Sequence, residues 1–195
     1  MIAALLAVSA AAASGVLPAP AIEDEIPAFG ALGPQAAGAT SVTATAGRPF
    51  YGLRVAYGFL DAIDLAAAFD YSPDGVYRPA IEARARAFRS GPTQLVARLL
   101  LGRAFTSGAG MANTNDGEFS LQLAVAPIPR AAVFVEGSLL GTTDFTRERT
   151  AGFVQGGGGI VVALPGGFSL LGSLGILQGV RGHRTVGSSG ASVRF

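Results

Sequence analysis

From Phe50 onward, apolar side chains alternate with small or polar ones at a period of two. Tyr51, Leu53, Val55, Tyr57 and Phe59 share one parity, while Gly52, Arg54, Ala56 and Gly58 share the other. Successive side chains on a strand point to opposite faces, so this segment is predicted to be a strand. Asp61-Ala62-Ile63-Asp64 then reads as a tight turn, in which both aspartates accept hydrogen bonds from nearby amides and need no acid/base role. Leu65, Ala67, Phe69 and Tyr71 alternate with Ala66, Ala68 and Asp70 to complete a hairpin.

The same rhythm continues to the end of the chain. Past Ser72-Pro73-Asp74-Gly75, Tyr77 to Phe88 places Tyr77, Ile81, Ala83 and Ala85 opposite Arg78, Glu82, Arg84 and Arg86. Gln94 to Phe105 sets Leu95, Ala97, Leu99 and Leu101 against Val96, Arg98, Leu100 and Gly102. Phe119, Leu121, Leu123 and Val125 alternate with Glu118, Ser120, Gln122 and Ala124 until Pro127-Ile128-Pro129 stops the strand. Val133, Val135 and Leu139 oppose Phe134, Glu136 and Ser138, and further strands are predicted over 151–164, 168–178 and 186–195. Gly38 to Ala46 alternates weakly and completes a count of ten; without it the even count would fall to eight. Short turns follow strands two, four, six and eight. Long polar loops are predicted at 106–116, at 141–150 and around Arg181, His183 and Arg184.

Composition turns this rhythm into an architecture. Half of the 195 residues are hydrophobic and 14% are charged, against roughly 25% charged in an ordinary soluble domain. Disorder is excluded by the same balance. The 14 basic residues are all arginine and stand against 13 acidic ones, so no excess of positive charge exists to hold nucleic acid. There is no cysteine, hence no disulfide and no thiolate chemistry. The amino-terminal Ile2 to Ala13 is an uncharged Ala/Leu/Val run followed by Ser14, Gly15, Pro18 and Ala19-Pro20-Ala21. That order is expected of a secretory signal peptide over 1–21, too short at about a dozen apolar residues to span a membrane. An exported, apolar chain without a spanning helix finds its solution in a closed barrel, because hydrocarbon leaves every backbone polar group to be satisfied internally. The expected organisation is therefore a leader (1–21), a short periplasmic segment (22–37) and an all-β, antiparallel, up-and-down transmembrane barrel (38–195).

At this point the chain resembles the outer-membrane β-barrel proteins of Gram-negative bacteria. The resemblance rests on the hairpin rhythm, on the Tyr57-Gly58-Phe59 to Asp64-Leu65 hairpin, and on the ending Ala191-Ser192-Val193-Arg194-Phe195, apolar at alternate positions and closing on an aromatic. It implies location in the bacterial outer membrane, contact with its lipid, and recognition of Val193 and Phe195 by the barrel assembly machinery. The remaining face is mostly Gly, Ala and Ser with a few charges, as suits a narrow lumen. Arg54, Asp70, Glu82, Arg84, Arg86, Arg98, Glu118, Gln122 and Glu136 are its candidate lumen-facing polar residues, paired across the interior. A soluble exported barrel with the apolar set turned inward around an apolar ligand is the alternative, although its outer face would need more Lys and Glu than this one has.

No residue pattern calls for catalysis, a cofactor or a metal. His183, the single histidine, stands between Gly182 and Arg184 with no local Ser or acid beside it. Gly156 to Gly159 precede Ile160-Val161-Val162, a strand rather than the helix a phosphate-cradling loop requires. Asn113 to Gly117 offers oxygen atoms to calcium, but as a solvated loop it needs none. Arg147, Glu148 and Arg149 are placed to contact lipopolysaccharide phosphates at the outer surface. The expected function is that of a small, non-enzymatic barrel: a narrow pore, or a structural and surface-interaction protein.

Overall fold

The computed structural model describes residues 26–48, 50–106, 113–144, 147–179 and 182–195; the expected signal peptide lies outside them. Ten strands follow one another in the chain: β1 (Thr40–Arg48), β2 (Tyr51–Leu60), β3 (Ile63–Ser72), β4 (Val76–Ser90), β5 (Thr93–Thr106), β6 (Thr114–Ile128), β7 (Ala131–Asp144), β8 (Arg149–Ala163), β9 (Phe168–Gly179) and β10 (Gly182–Arg194). Each pairs antiparallel with its sequence neighbours, and β1 pairs with β10 from Ser41 opposite Arg194 to Arg48 opposite Gly187. Two further backbone bonds, Phe195 N–H to Thr40 O and Thr40 N–H to Phe195 O, finish the seam. The result is a closed up-and-down barrel, and the weakly alternating stretch expected over Gly38–Ala46 is a full member of it as β1, shifted to Thr40–Arg48.

Alternation decides which face each residue joins. Tyr51, Leu53, Tyr57 and Phe59 on β2, Leu99 and Leu101 on β5, Phe119, Leu121 and Leu123 on β6, and Leu170, Leu174 and Ile176 on β9 are all exposed on the outer wall. Their neighbours of the other parity are buried or half-buried inside. The apolar set therefore faces outward, the reverse of what the soluble ligand-binding alternative requires.

Three expectations are corrected. Asp64 is not a turn residue: the turn is Asp61-Ala62, and Asp64 is the second residue of β3, fully buried. It shares parity with Ala66, Ala68 and Asp70, so pairing opposite Gly58 carries it into the interior. The long polar loops also shrink. β7 runs to Asp144 and β8 starts at Arg149, β9 and β10 are separated only by 180–181, and the β5–β6 connection begins after Thr106 and ends before Thr114. Backbone ladders need only N–H and C=O groups, so Thr- and Gly-rich stretches continue to pair where apolar alternation fades; Thr143 stands opposite Thr150. Consequently His183 and Arg184 belong to β10, in register with Gln178 and Leu177, and Thr114 to Gly117, read as a loop with calcium-binding oxygens, opens β6.

The described part of the segment expected to be periplasmic (22–37) packs against the barrel interior. Residues 26–39 enter the barrel at the end carrying the short turns, where a 3₁₀ turn at Pro27–Phe29 packs inside the wall. Ala28, Phe29 and Leu32 are buried against the inward-facing Ala124, Ala126, Ala132, Phe134 and Val161. This is the only sizeable apolar cluster of buried residues described, and it joins the segment to β6, β7 and β8.

Candidate functional site, the barrel lumen

The lumen is built from the inner parity of every strand. Asp64 at the start of β3 receives two hydrogen bonds from Arg84 on β4, from Nε at 3.0 Å and from Nη2 at 2.5 Å. Arg54 on β2 donates its Nε to Glu82 at 2.9 Å and approaches Asp64 at 3.7 Å. Arg84 also lies 3.7 Å from Glu82. Two arginines and two carboxylates thus alternate across β2, β3 and β4, and Asp64, Glu82 and Arg84 are all buried. A buried charge requires such a partner, since an ion stripped of water and left alone costs several kcal/mol.

A second cluster adjoins the first. Arg98 on β5 bonds Glu118 on β6, reaches Glu136 on β7 at 2.9 Å, and donates its Nε to Ser120 at 3.0 Å. Gln122 donates to the other oxygen of Glu136 at 3.4 Å. Toward the far end, Arg78 and Asp70 form a separate pair at 2.5 Å. Of the residues expected from the alternation, Arg54, Glu82 and Arg84 meet in the first cluster; Arg98, Glu118, Gln122 and Glu136 meet in the second; Asp70 pairs elsewhere. Arg86 stands in register with Val96 beside a bulge between Arg86 and Phe88. Val193, expected as an assembly signal, lies opposite both Val42 and Phe168, while Phe195 is exposed just past the seam.

The charges are unevenly distributed. All the clusters above lie on β2 to β7. Facing them, the inner positions 153–161 of β8, 169–177 of β9, 186–192 of β10 and 41–45 of β1 carry only Gly, Ser, Thr, Gln and apolar residues. Hydroxyls pair there instead, Thr43 with Ser192 at 2.9 Å and Ser173 with Ser188 at 2.9 Å. The interior is therefore two half-walls, one zipped by ion pairs and one uncharged along its middle, with Arg149, Arg184 and Arg194 of the same parity at its ends.

The amino-terminal segment crosses one end of this space, and beside it lies a cavity of about 270 Å³ lined by Pro27, Gly30, Arg130, Phe168 and Arg194, among others. Ala28 N–H donates to Pro129 O at 3.1 Å, Gln35 N–H to Asp64 Oδ2 at 3.0 Å, and Ala37 N–H to Asp61 Oδ1 at 3.3 Å. Gly38 N–H donates to Gly58 O and Gly58 N–H to Ala39 O, both at 2.9 Å. Gly58 permits this crossing because a Cβ there would sit 1.8 Å from Ala36 O. Above the segment lies a cavity of about 120 Å³ lined by Leu32, Arg54, Glu82, Arg84, Arg98 and Glu136, among others. Neither Asp64 nor the plugging segment was legible as part of the lumen. For Asp64 the signal was available in its shared parity with Asp70; for the segment only Phe29 and Leu32, amid Pro and Gly, hinted at a buried role.

No arrangement of catalytic groups emerges from these contacts. Among the described residues no cluster of three or more His, Asp or Glu side chains is placed to hold a metal ion. Asp116, in the stretch considered for calcium, instead accepts a hydrogen bond from Thr114 at 2.8 Å.

A closed antiparallel ring of strands, apolar outside and polar within, defines the class: this is a transmembrane β-barrel of the outer-membrane type. No protein-family model matches the sequence, and no curated protein sequence matches it. Solved structures of similar shape include a loop-deletion mutant of OmpT, an outer membrane protein of Vibrio cholerae (10% identity, TM-score 0.47, 75% of this chain and 53% of that one). The KdgM porin is similar at 10% identity with a TM-score of 0.44 over 80% of this chain and 99% of that one. The β domain of the Bordetella autotransporter BrkA is similar at 12% identity with a TM-score of 0.47, covering 80% of this chain and 98% of that one. It is the hydrogen-bonded closure and outward apolar wall of the chain itself that define the class.

Proposed function

We propose that the protein is a non-enzymatic barrel of the bacterial outer membrane that acts as a narrow, charge-lined pore. The observation that carries this reading is the pair of ion clusters, Arg54–Glu82–Arg84–Asp64 and Glu118–Arg98–Glu136, which converge from β2 to β7 on one cavity inside a closed barrel. Ten strands enclose far less than the 16 to 18 of open porins, and these side chains narrow the space further. Small ions are the expected traffic.

Planar-bilayer conductance tests the reading. The native protein is expected to show small single-channel steps, and Arg84→Gln or Arg98→Gln to shift selectivity toward cations by leaving Asp64, or Glu118 and Glu136, unneutralised. Unchanged conductance and selectivity in both variants would overturn it. His183→Ala is expected to leave any hydrolytic background unaltered.

Two surface contacts accompany this function. Val193 and Phe195, at the end of β10, are read by the barrel assembly machinery, and Arg147 and Arg149 at the far end meet lipopolysaccharide phosphates. Arg149 is exposed, and Arg147 is half-exposed and 3.9 Å from Asp144. A surface-interaction role without conduction is tested by the same bilayer recordings.

A further inference from the structure

We propose that residues 26–37 are a resident gate of the lumen, narrowing the short-turn end in the docked state and opening it when they leave. The proposal rests on the pore reading above and adds what controls access to that pore.

Three features separate this segment from an ordinary amino-terminal tail. It is anchored by specific bonds at both ends, Ala28 N–H to Pro129 O and Gln35 N–H to Asp64 Oδ2. It seats two large apolar side chains, Phe29 and Leu32, in a pocket of inward-facing alanines, Phe134 and Val161. Its passage is matched on both sides: Gly58 of the wall lets Ala36 cross, and Gly33 of the segment lies so near Gln94 of β5 that a Cβ there would stand 2.9 Å from Nε2.

It is also separable from the barrel. None of its residues belongs to a strand, and the ring closes by β1–β10 pairing without it. Asp64 is the joint between the two, because one of its oxygens accepts both the Gln35 amide and the Arg84 guanidinium. On release, Arg84 keeps its partner while the Gln35 amide turns to water. The cavity above Leu32 then meets the periplasmic solvent past Arg194 of β10, which lies against Gly30 at that end.

A single cysteine at Ser120→Cys tests this, since the native chain has none and Ser120 lines the cavity behind the segment. Labelling by a membrane-impermeant maleimide, in purified barrels reconstituted in detergent, is compared with and without Phe29→Ala/Leu32→Ala, and independently with Gly33→Leu. Both sets of changes spare every strand, and gel mobility before and after boiling checks the barrel. The expected result is labelling faster by roughly tenfold or more in both backgrounds, with larger single-channel conductance. Unchanged labelling in barrels that retain the heat-dependent shift would overturn the gate. Loss of that shift in both backgrounds would overturn it as well, by making the segment part of the folding core. Faster labelling without any conductance would leave the gate standing and reject the pore.

Discussion

At the scale of single residues, the interior is governed by the need to pair every buried charge. Asp64 is the most constrained, holding Arg84 with two short bonds, lying 3.7 Å from Arg54 and accepting the Gln35 amide. Asp64→Ala is expected to destabilise the barrel by about 3–5 kcal/mol, because Arg84 is left charged and without its principal partner. Arg84→Ala should cost a similar amount, and the double variant less than the sum; urea titration in micelles, read as a double-mutant cycle, checks this. Pairing of this kind is only half legible in linear order. Alternation places Arg54, Glu82, Arg84, Arg98, Glu118 and Glu136 on one face, but which charge meets which depends on register between strands. The misassigned Asp64 shows the limit: an aspartate two residues past a turn and one within it have the same local chemistry, and only pairing with Gly58 separates them.

At the scale of elements, strand identity follows from period-two alternation, whereas strand length does not. β4 to β8 run for 14 or 15 residues, beyond the ~9–11 that cross a bilayer, so their far ends stand in solvent and need no apolar face. That explains why Gly141 to Asp144 and Arg149 to Thr150 looked like loop and are ladder. On the lipid-facing stretch the apolar set matters: Leu121→Arg, exposed on the outer wall of β6, is expected to cost about 2–4 kcal/mol near the bilayer midplane. Its inward neighbour changed by Ser120→Ala should cost about 1.5–3 kcal/mol, the loss of one hydrogen bond donated by the charged Arg98. Refolding into vesicles across a urea series measures both. Gly58→Val, on the inner face of β2, is expected to displace the amino-terminal segment rather than the strand, since the added side chain collides with the Ala36 backbone. Faster proteolysis before residue 38, with the barrel fragment intact, is the sign to look for.

At the scale of the whole molecule, closure is the decisive event. With β1 and β10 paired there is no free sheet edge, and the backbone is self-satisfied in hydrocarbon. Protein from outer-membrane fractions is therefore expected to migrate faster in SDS before boiling than after, and Phe195→Ala to lower the amount that reaches the membrane without changing the shift of what does. The linear order of residues was enough to specify a strand-built, outward-apolar barrel of the outer membrane, with ten strands expected and eight held in reserve, because alternation and scarcity of charge are properties of the chain read one residue at a time. It was enough, too, to name most of the lumen's charges, since parity assigns a face. The three-dimensional fold alone decided the ion-pair partners and the docking of 26–37 in the mouth. Each of these depends on contacts between residues far apart in the chain, such as Gln35 with Asp64 and Arg98 with Glu136, and a period-two pattern carries no information about which distant strands become neighbours across a closed ring.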